Sequence, residues 1–139
     1  MCPESLQDSV TPTNIREVAR FDTPGETWGW TGEGEIEFDA VAEKYCWFSI
    51  DAQRDFGQKL APSAGVHVRI RLRGLLENET LIATHSAGVR EIKGLPNKQF
   101  NLYLIEGAKA DANGRFFVQF KLATKNPMSI ESIEVIAPI

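Results

Sequence analysis

Residues 66–73 read Val-His-Val-Arg-Ile-Arg-Leu-Arg, an unbroken alternation of aliphatic with cationic or imidazole side chains. That period of two belongs to an extended strand, whose successive side chains point to opposite faces; a helix could not separate the two sets. Val66, Val68, Ile70 and Leu72 therefore face a core. His67, Arg69, Arg71 and Arg73 share the other face, about 7 Å apart. The same pattern marks strands at 35–40, 45–51, 80–84, 88–93, 100–105, 115–123 and 129–136, with a weaker one at 15–21. Gly, Pro, Asn and Asp clusters such as Asp22-Thr23-Pro24-Gly25, Gly94-Leu95-Pro96-Asn97 and Asp111-Ala112-Asn113-Gly114 separate them. Many short strands with frequent turns predict an all-β sandwich. The segment 9–19 suits a helical turn capped by Thr11 or Thr13 equally well, without changing the fold class.

A chain of 139 residues with 42% apolar side chains is enough for one packed core and too short for two comfortable ones. The expected organisation is a tail over 1–13 and one sandwich domain over 14–139. No apolar run reaches the roughly 18 residues of a spanning helix. Cys2 and Cys46 make no disulfide framework, so the redox compartment is undetermined. The net charge of −4 excludes a uniformly basic nucleic-acid surface, leaving single-strand stacking on Trp and Phe as a third-ranked reading. Charge is uneven along the chain. Residues 1–66 carry twelve acidic against five basic side chains, a balance of −7, and residues 67–139 carry seven against ten, a balance of +3.

Phe21-Asp22-Thr23-Pro24-Gly25-Glu26-Thr27-Trp28-Gly29-Trp30 resembles the opening of jelly-roll carbohydrate-binding modules of the galactose-binding-like class. There an aromatic-acid pair ends the first strand and a Trp follows. Residues 45–50 and 66–72 resemble the paired core strands of that class, and 128–135 resemble its last strand. The similarity runs from about residue 18 to 136. It implies a jelly roll of about eight or nine antiparallel strands, serving as a noncatalytic accessory domain of a larger glycan-processing protein. It also implies an extracellular or cell-surface setting. Members often hold a structural calcium ion between the first and last strands. Carried onto this chain, the ligands are Asp22 and Glu131, with backbone carbonyls completing an oxygen shell. Glu131-Ser132 stands where the pattern favours two Asp residues. Beside the metal reading stands a simpler one, in which Asp22 caps a turn and Glu131 is a solvated strand residue.

Sugar recognition combines an aromatic platform with planar polar side chains. The aromatic candidates are Trp28, Trp30, Tyr45, Trp47, Tyr103 and Phe117; the polar ones are His67, Arg69, Arg71, Asn101, Gln119 and Lys121. Trp47, His67, Arg69, Arg71, Tyr103, Gln119 and Lys121 form the expected ligand set. A face holding Arg69, Arg71 and Lys121 suits an anionic glycan, because guanidinium forks match carboxylates and sulfates. Two plainer readings compete: Trp47 as core, and the Arg row as a solvated face that keeps sheets from aggregating. A protein-interaction or structural domain that orients or oligomerises its parent is the alternative of a different class.

Catalysis finds less support. The chain has no Gly-x-Ser-x-Gly turn, no His-Glu-x-x-His zinc helix and no phosphate loop. His67 and His85 lack a positioned nucleophile in sequence. Glu33, Glu35 and Glu37 supply the carboxylates a small glycan-active enzyme needs, but residues two apart on a strand share a face by pleat alone. Cys46, within an apolar strand, reads as an inert thiol.

Overall fold

The computed structural model describes residues 13–95, 99–123 and 126–138. Ten strands follow in order: β1 (Ile15–Arg20), β2 (Gly34–Asp39), β3 (Lys44–Ser49), β4 (Asp51–Gln58), β5 (His67–Arg73), β6 (Thr80–His85), β7 (Gly88–Lys93), β8 (Asn101–Ile105), β9 (Arg115–Leu122) and β10 (Met128–Ala137). No helix occurs among the described residues, and the described part of the segment considered for a helical turn is strand β1. Residues 1–12 of the expected tail lie outside the described residues, as do Pro96 and Asn97 of one expected turn. Thr13, assigned to the tail, donates its backbone N–H to the Lys59 carbonyl at 2.8 Å.

All pairings between strands are antiparallel. One sheet has the order β2-β3-β10-β5-β8 with β1 also paired to β10, and the other has the order β4-β9-β6-β7. We call them the six-stranded and four-stranded sheets. Their inner faces bury Val68, Ile70, Leu72, Ile130, Ile133 and Val135 against Leu81, Ala83, Phe116, Val118, Phe120 and Leu122. Each such side chain contributes about 1.5–3 kcal/mol relative to exposure. The alternation read in β5 and β9 is thus the alternation of a sandwich wall.

Strand β10 organises the larger sheet. Along one edge Ser129 to Ile136 pair β5, while the opposite edge is shared: Met128, Ser129 and Ile130 pair β3, and Ser132 to Ala137 pair β1. A bulge at Glu131 marks the junction, because the end of β1 and the start of β3 cannot occupy the same edge position.

Strand β4 carries no clear alternation in sequence and is the one strand the periodicity does not predict. Its inner positions are Ala52, Arg54 and Phe56, and a bulge between Asp55 and Gly57 breaks its period against β9. Arg54 is tolerated inside because its guanidinium pairs with Glu17 of β1 across the gap between sheets, with Nη2 to Oε2 at 3.2 Å. It also lies over the Phe56 ring at 4.4 Å. This half-buried cation, hydrogen-bonded to Glu17, ties the two sheets together.

Candidate functional site

The expected ligand residues separate into three places. Trp47 is 1% exposed and packs on Phe21 with ring centroids 4.9 Å apart. Tyr103 pairs Ile70 in register and turns inward with it. Both therefore belong to the core, a correction with a simple cause: large aromatics at inward strand positions fill the space between sheets. His67, Arg69 and Arg71 lie on the outer face of the six-stranded sheet. Gln119 and Lys121 lie on the outer face of the four-stranded sheet, on the other side of the molecule.

The Arg row is committed to carboxylates. Arg69 pairs with Glu134, Arg71 Nε meets Glu131 Oε1 at 3.1 Å, and Arg73 pairs with Asp39. Asp39 is 4% exposed. Burial works to raise its pKa, but hydrogen bonds from Arg73 and from the Ala42 and Val41 N–H groups outweigh that and hold it below the ordinary carboxylate value. Beneath this cluster Cys46 is fully buried, and burial, aided by Asp39, pushes its thiol pKa up to about 11. Such a thiol is no nucleophile at neutral pH. Glu35 and Glu37 are on strand β2 at the edge of this same sheet.

The four-stranded sheet presents a different surface. Gln53, Asp55, Phe117, Gln119 and Lys121 share its outer face, with Gln53 opposite Gln119 and Asp55 opposite Phe117. A hollow of about 380 Å³ opens there, lined by Gly29, Thr31, Gln53, Arg54, Asp55 and Phe117. Phe117 is 37% exposed, and its backbone N–H donates to Ser86 Oγ at 2.8 Å. Asp55 meets Arg115 at 3.2 Å, and the Gly57 N–H and that guanidinium lower its pKa.

Trp28 precedes Gly29 of this lining in the chain. It adopts a left-handed backbone with φ of 54°, costly for a bulky residue. Three contacts hold it: its N–H donates to Glu26, its ring Nε1 donates to the Arg20 carbonyl at 2.9 Å, and its carbonyl accepts from Arg54 at 2.9 Å. Even so it is 49% exposed. An aromatic ring held in place and left open to solvent is a ready contact surface.

Of the expected ligand set only Gln119 and Lys121 reach this face. Gln53, Asp55 and Thr31 carry no sequence signal that could have found them, because the strand that supplies the first two is the unpredicted β4. Phe117 and Trp28 were legible as aromatic candidates, but nothing in the order of residues separates exposed rings from the buried Trp30 and Trp47.

Asp22 and Glu131, the expected metal ligands, do line one hollow, together with Arg20, Lys44, Tyr45 and Ser132. Both Glu131 oxygens already face cations, one Lys44 and the other Arg71. Asp22 accepts a hydrogen bond from Thr23 at 3.2 Å. A calcium ion needs six to eight oxygens around a net negative site. Two carboxylates among three cationic side chains do not fit it. Among the described residues no group of three or more His, Cys, Asp or Glu is placed to hold a metal.

Two antiparallel sheets packed face to face, with a polar and aromatic outer wall, define the class: a jelly-roll β-sandwich. No family model and no curated protein matches the sequence. The likeness is in structure. The CBM22-1 xylan-binding domain of Paenibacillus barcinonensis Xyn10C superposes with a TM-score of 0.56 at 6% identity, covering 93% of this chain and 99% of that one. The CBM36-1 domain of a multidomain xylanase from the hindgut metagenome of Trinervitermes trinervoides gives 0.50 at 8% identity, covering 87% and 96%. A family two carbohydrate esterase from Cellvibrio japonicus gives 0.52 at 8% identity over 89% of this chain, which spans 34% of the esterase. The fold is that of carbohydrate-binding modules. No helix among the described residues is long and apolar enough to cross a membrane.

Proposed function

We propose that this chain is a noncatalytic glycan-binding accessory domain, and that it binds on the outer face of the four-stranded sheet. The observation that carries the reading is the hollow lined by Gln53, the Asp55 carboxylate and the Phe117 ring, with the Gln119 amide opposite Gln53 on the same face and the exposed Trp28 next in the chain to Gly29 of the lining. Amides and a carboxylate exchange hydrogen bonds with hydroxyls, and the rings cover the C–H faces of sugars. The structural neighbours include a xylan-binding domain and a module of a xylanase, which supports the same class of ligand.

This face favours an uncharged chain. The anionic preference expected of Arg69 and Arg71 finds no support here, since both are paired and both lie on the other sheet. Lys121 is one cation on the binding face, and a Lys121→Ala variant that lost affinity for acidic polysaccharides alone would restore that preference. The main test is retardation in gels containing soluble polysaccharides, xylan among them. A Gln53→Ala, Gln119→Ala double variant should bind about tenfold more weakly, ~1.4 kcal/mol. Unchanged retardation of that variant, or no retardation of the wild type on any polysaccharide, overturns the reading.

A further inference from the structure

Among the described residues five strands have a partner on one side only: β1, β2 and β8 in the six-stranded sheet, and β4 and β7 in the four-stranded one. An open edge invites pairing with another chain, and charged side chains on the strand are a common guard against it. Strands β1, β2, β4 and β7 are guarded in this way, with three charged residues each. Strand β8, Asn-Leu-Tyr-Leu-Ile, has none.

In β8 Tyr103 and Ile105 turn inward, while Leu102 and Leu104 stand on the outer face, 49% and 50% exposed. Among the described residues no backbone hydrogen bond other than those to β5 reaches Leu102, Tyr103 or Leu104. The strand thus has the composition of a central strand in the place of an edge.

Symmetry and charge decide what fits there. Opposite residues of an antiparallel pair have their side chains on the same face. Two copies related by a two-fold axis at Tyr103 therefore pair all of β8: Asn101 with Ile105, Leu102 with Leu104, and Tyr103 with its own counterpart. Each exposed Leu meets a Leu, and the four close one apolar strip. Any of the other four edges would set charged side chains against this uncharged strand. Joining two unlike edges also leaves one of each open, so that copies add without closure. A second β8 meets both conditions.

We infer that the free edge of β8 is the interface of a homodimer, in which two six-stranded sheets join through antiparallel β8–β8 pairing into one continuous sheet. The two-fold axis is perpendicular to that sheet, so both four-stranded faces turn to the same side. The dimer stands independently of the glycan reading; where that reading also holds, the pair offers two binding faces to one polysaccharide and gains from bivalency.

The test is the oligomeric state of the whole chain without glycan, by sedimentation velocity at concentrations up to about 0.5 mM, where mass action reveals a weak dimer. Wild type should pass from one chain to two as concentration rises, and amide exchange at Leu102, Tyr103 and Leu104 should slow with it. Leu102→Lys with Leu104→Lys sets like charges opposite one another and should raise the dimer Kd at least about tenfold. Leu102→Lys with Leu104→Glu sets opposite charges together in the same register and should dimerise again, which separates a lost interface from a lost fold. Failure of the polysaccharide tests leaves these measurements untouched, since no glycan is present. A wild type that stays monomeric throughout, even one that pairs with another domain, overturns the inference. So does a dimer that the like-charged variant leaves unchanged, or an opposite-charged variant as weak as the like-charged one.

Discussion

On the outer face of the six-stranded sheet, Arg69 and Arg71 end on carboxylates of the neighbouring β10, and Arg73 ends on Asp39 of β2. On the outer face of the four-stranded sheet, Gln53, Asp55 and Phe117 line a hollow, with Gln119 opposite Gln53. The first face looks the more functional in sequence, because a row of cations is conspicuous. Across its strands, however, the register sets Glu134 opposite Arg69, and the bulge brings Glu131 to Arg71. Charges satisfied by the fold have little left for a ligand, whereas neutral amides keep their hydrogen-bonding capacity until one arrives.

The comparison can be broken most forcefully at Asp39. Asp39→Ala strands the Arg73 guanidinium in a half-buried site and should cost about 3 kcal/mol, seen as a lower urea midpoint, with polysaccharide retardation of the folded protein unchanged. A matching loss of ligand binding would show that the two faces are not independent. Next in size is Phe117→Ala, which should weaken polysaccharide binding about fivefold, ~1 kcal/mol, while leaving the melting temperature nearly unmoved. A smaller loss is sharper in location: Trp28→Ala should reduce binding without altering the Arg54–Glu17 pair, as read by an unchanged thermal midpoint.

Acidity separates the faces again. The native Asp39 carboxyl has a lowered pKa, so its contribution to stability is complete above the unfolded value of about 3.8 and is lost as pH falls through the native one. His85 behaves with the same sign at higher pH. It is 6% exposed, and burial, with the charge of Arg90, lowers its pKa against an opposing hydrogen bond to the Lys109 backbone; its Nδ1 accepts from the Ala87 N–H at 3.1 Å. The unfolded chain takes up a proton near 6.5 that the native chain resists, so stability should fall as pH drops below that value. A His85→Gln variant should flatten this part of a melting-temperature profile, and an equal slope in both proteins would refute the assignment. The smallest effect is expected at Arg69→Ala. Removing this partly exposed pair with Glu134 should change stability by less than about 1 kcal/mol and polysaccharide affinity not at all.

Most of the fold was legible because burial on one face leaves a mark every second residue. In 66–73 the set read as inward, Val66, Val68, Ile70 and Leu72, is the buried one. Strand β4 was not legible: Arg54 occupies an inner position that partners distant in sequence, Glu17 and the Trp28 carbonyl, make acceptable. With β4 went Gln53 and Asp55, and with them one wall of the candidate site. Parity also failed to sort Cys46 from Trp47, since both are buried, one beneath the ion pairs of the outer face and the other in the core.

Local alternation and turn residues, then, were enough to make this chain a β-sandwich, because the strand period is a property of each segment alone. Which cations are already neutralised and which rings are open to solvent were decided only by strand order and register. Those relations set residues tens of positions apart side by side, and no local pattern encodes the distance between them.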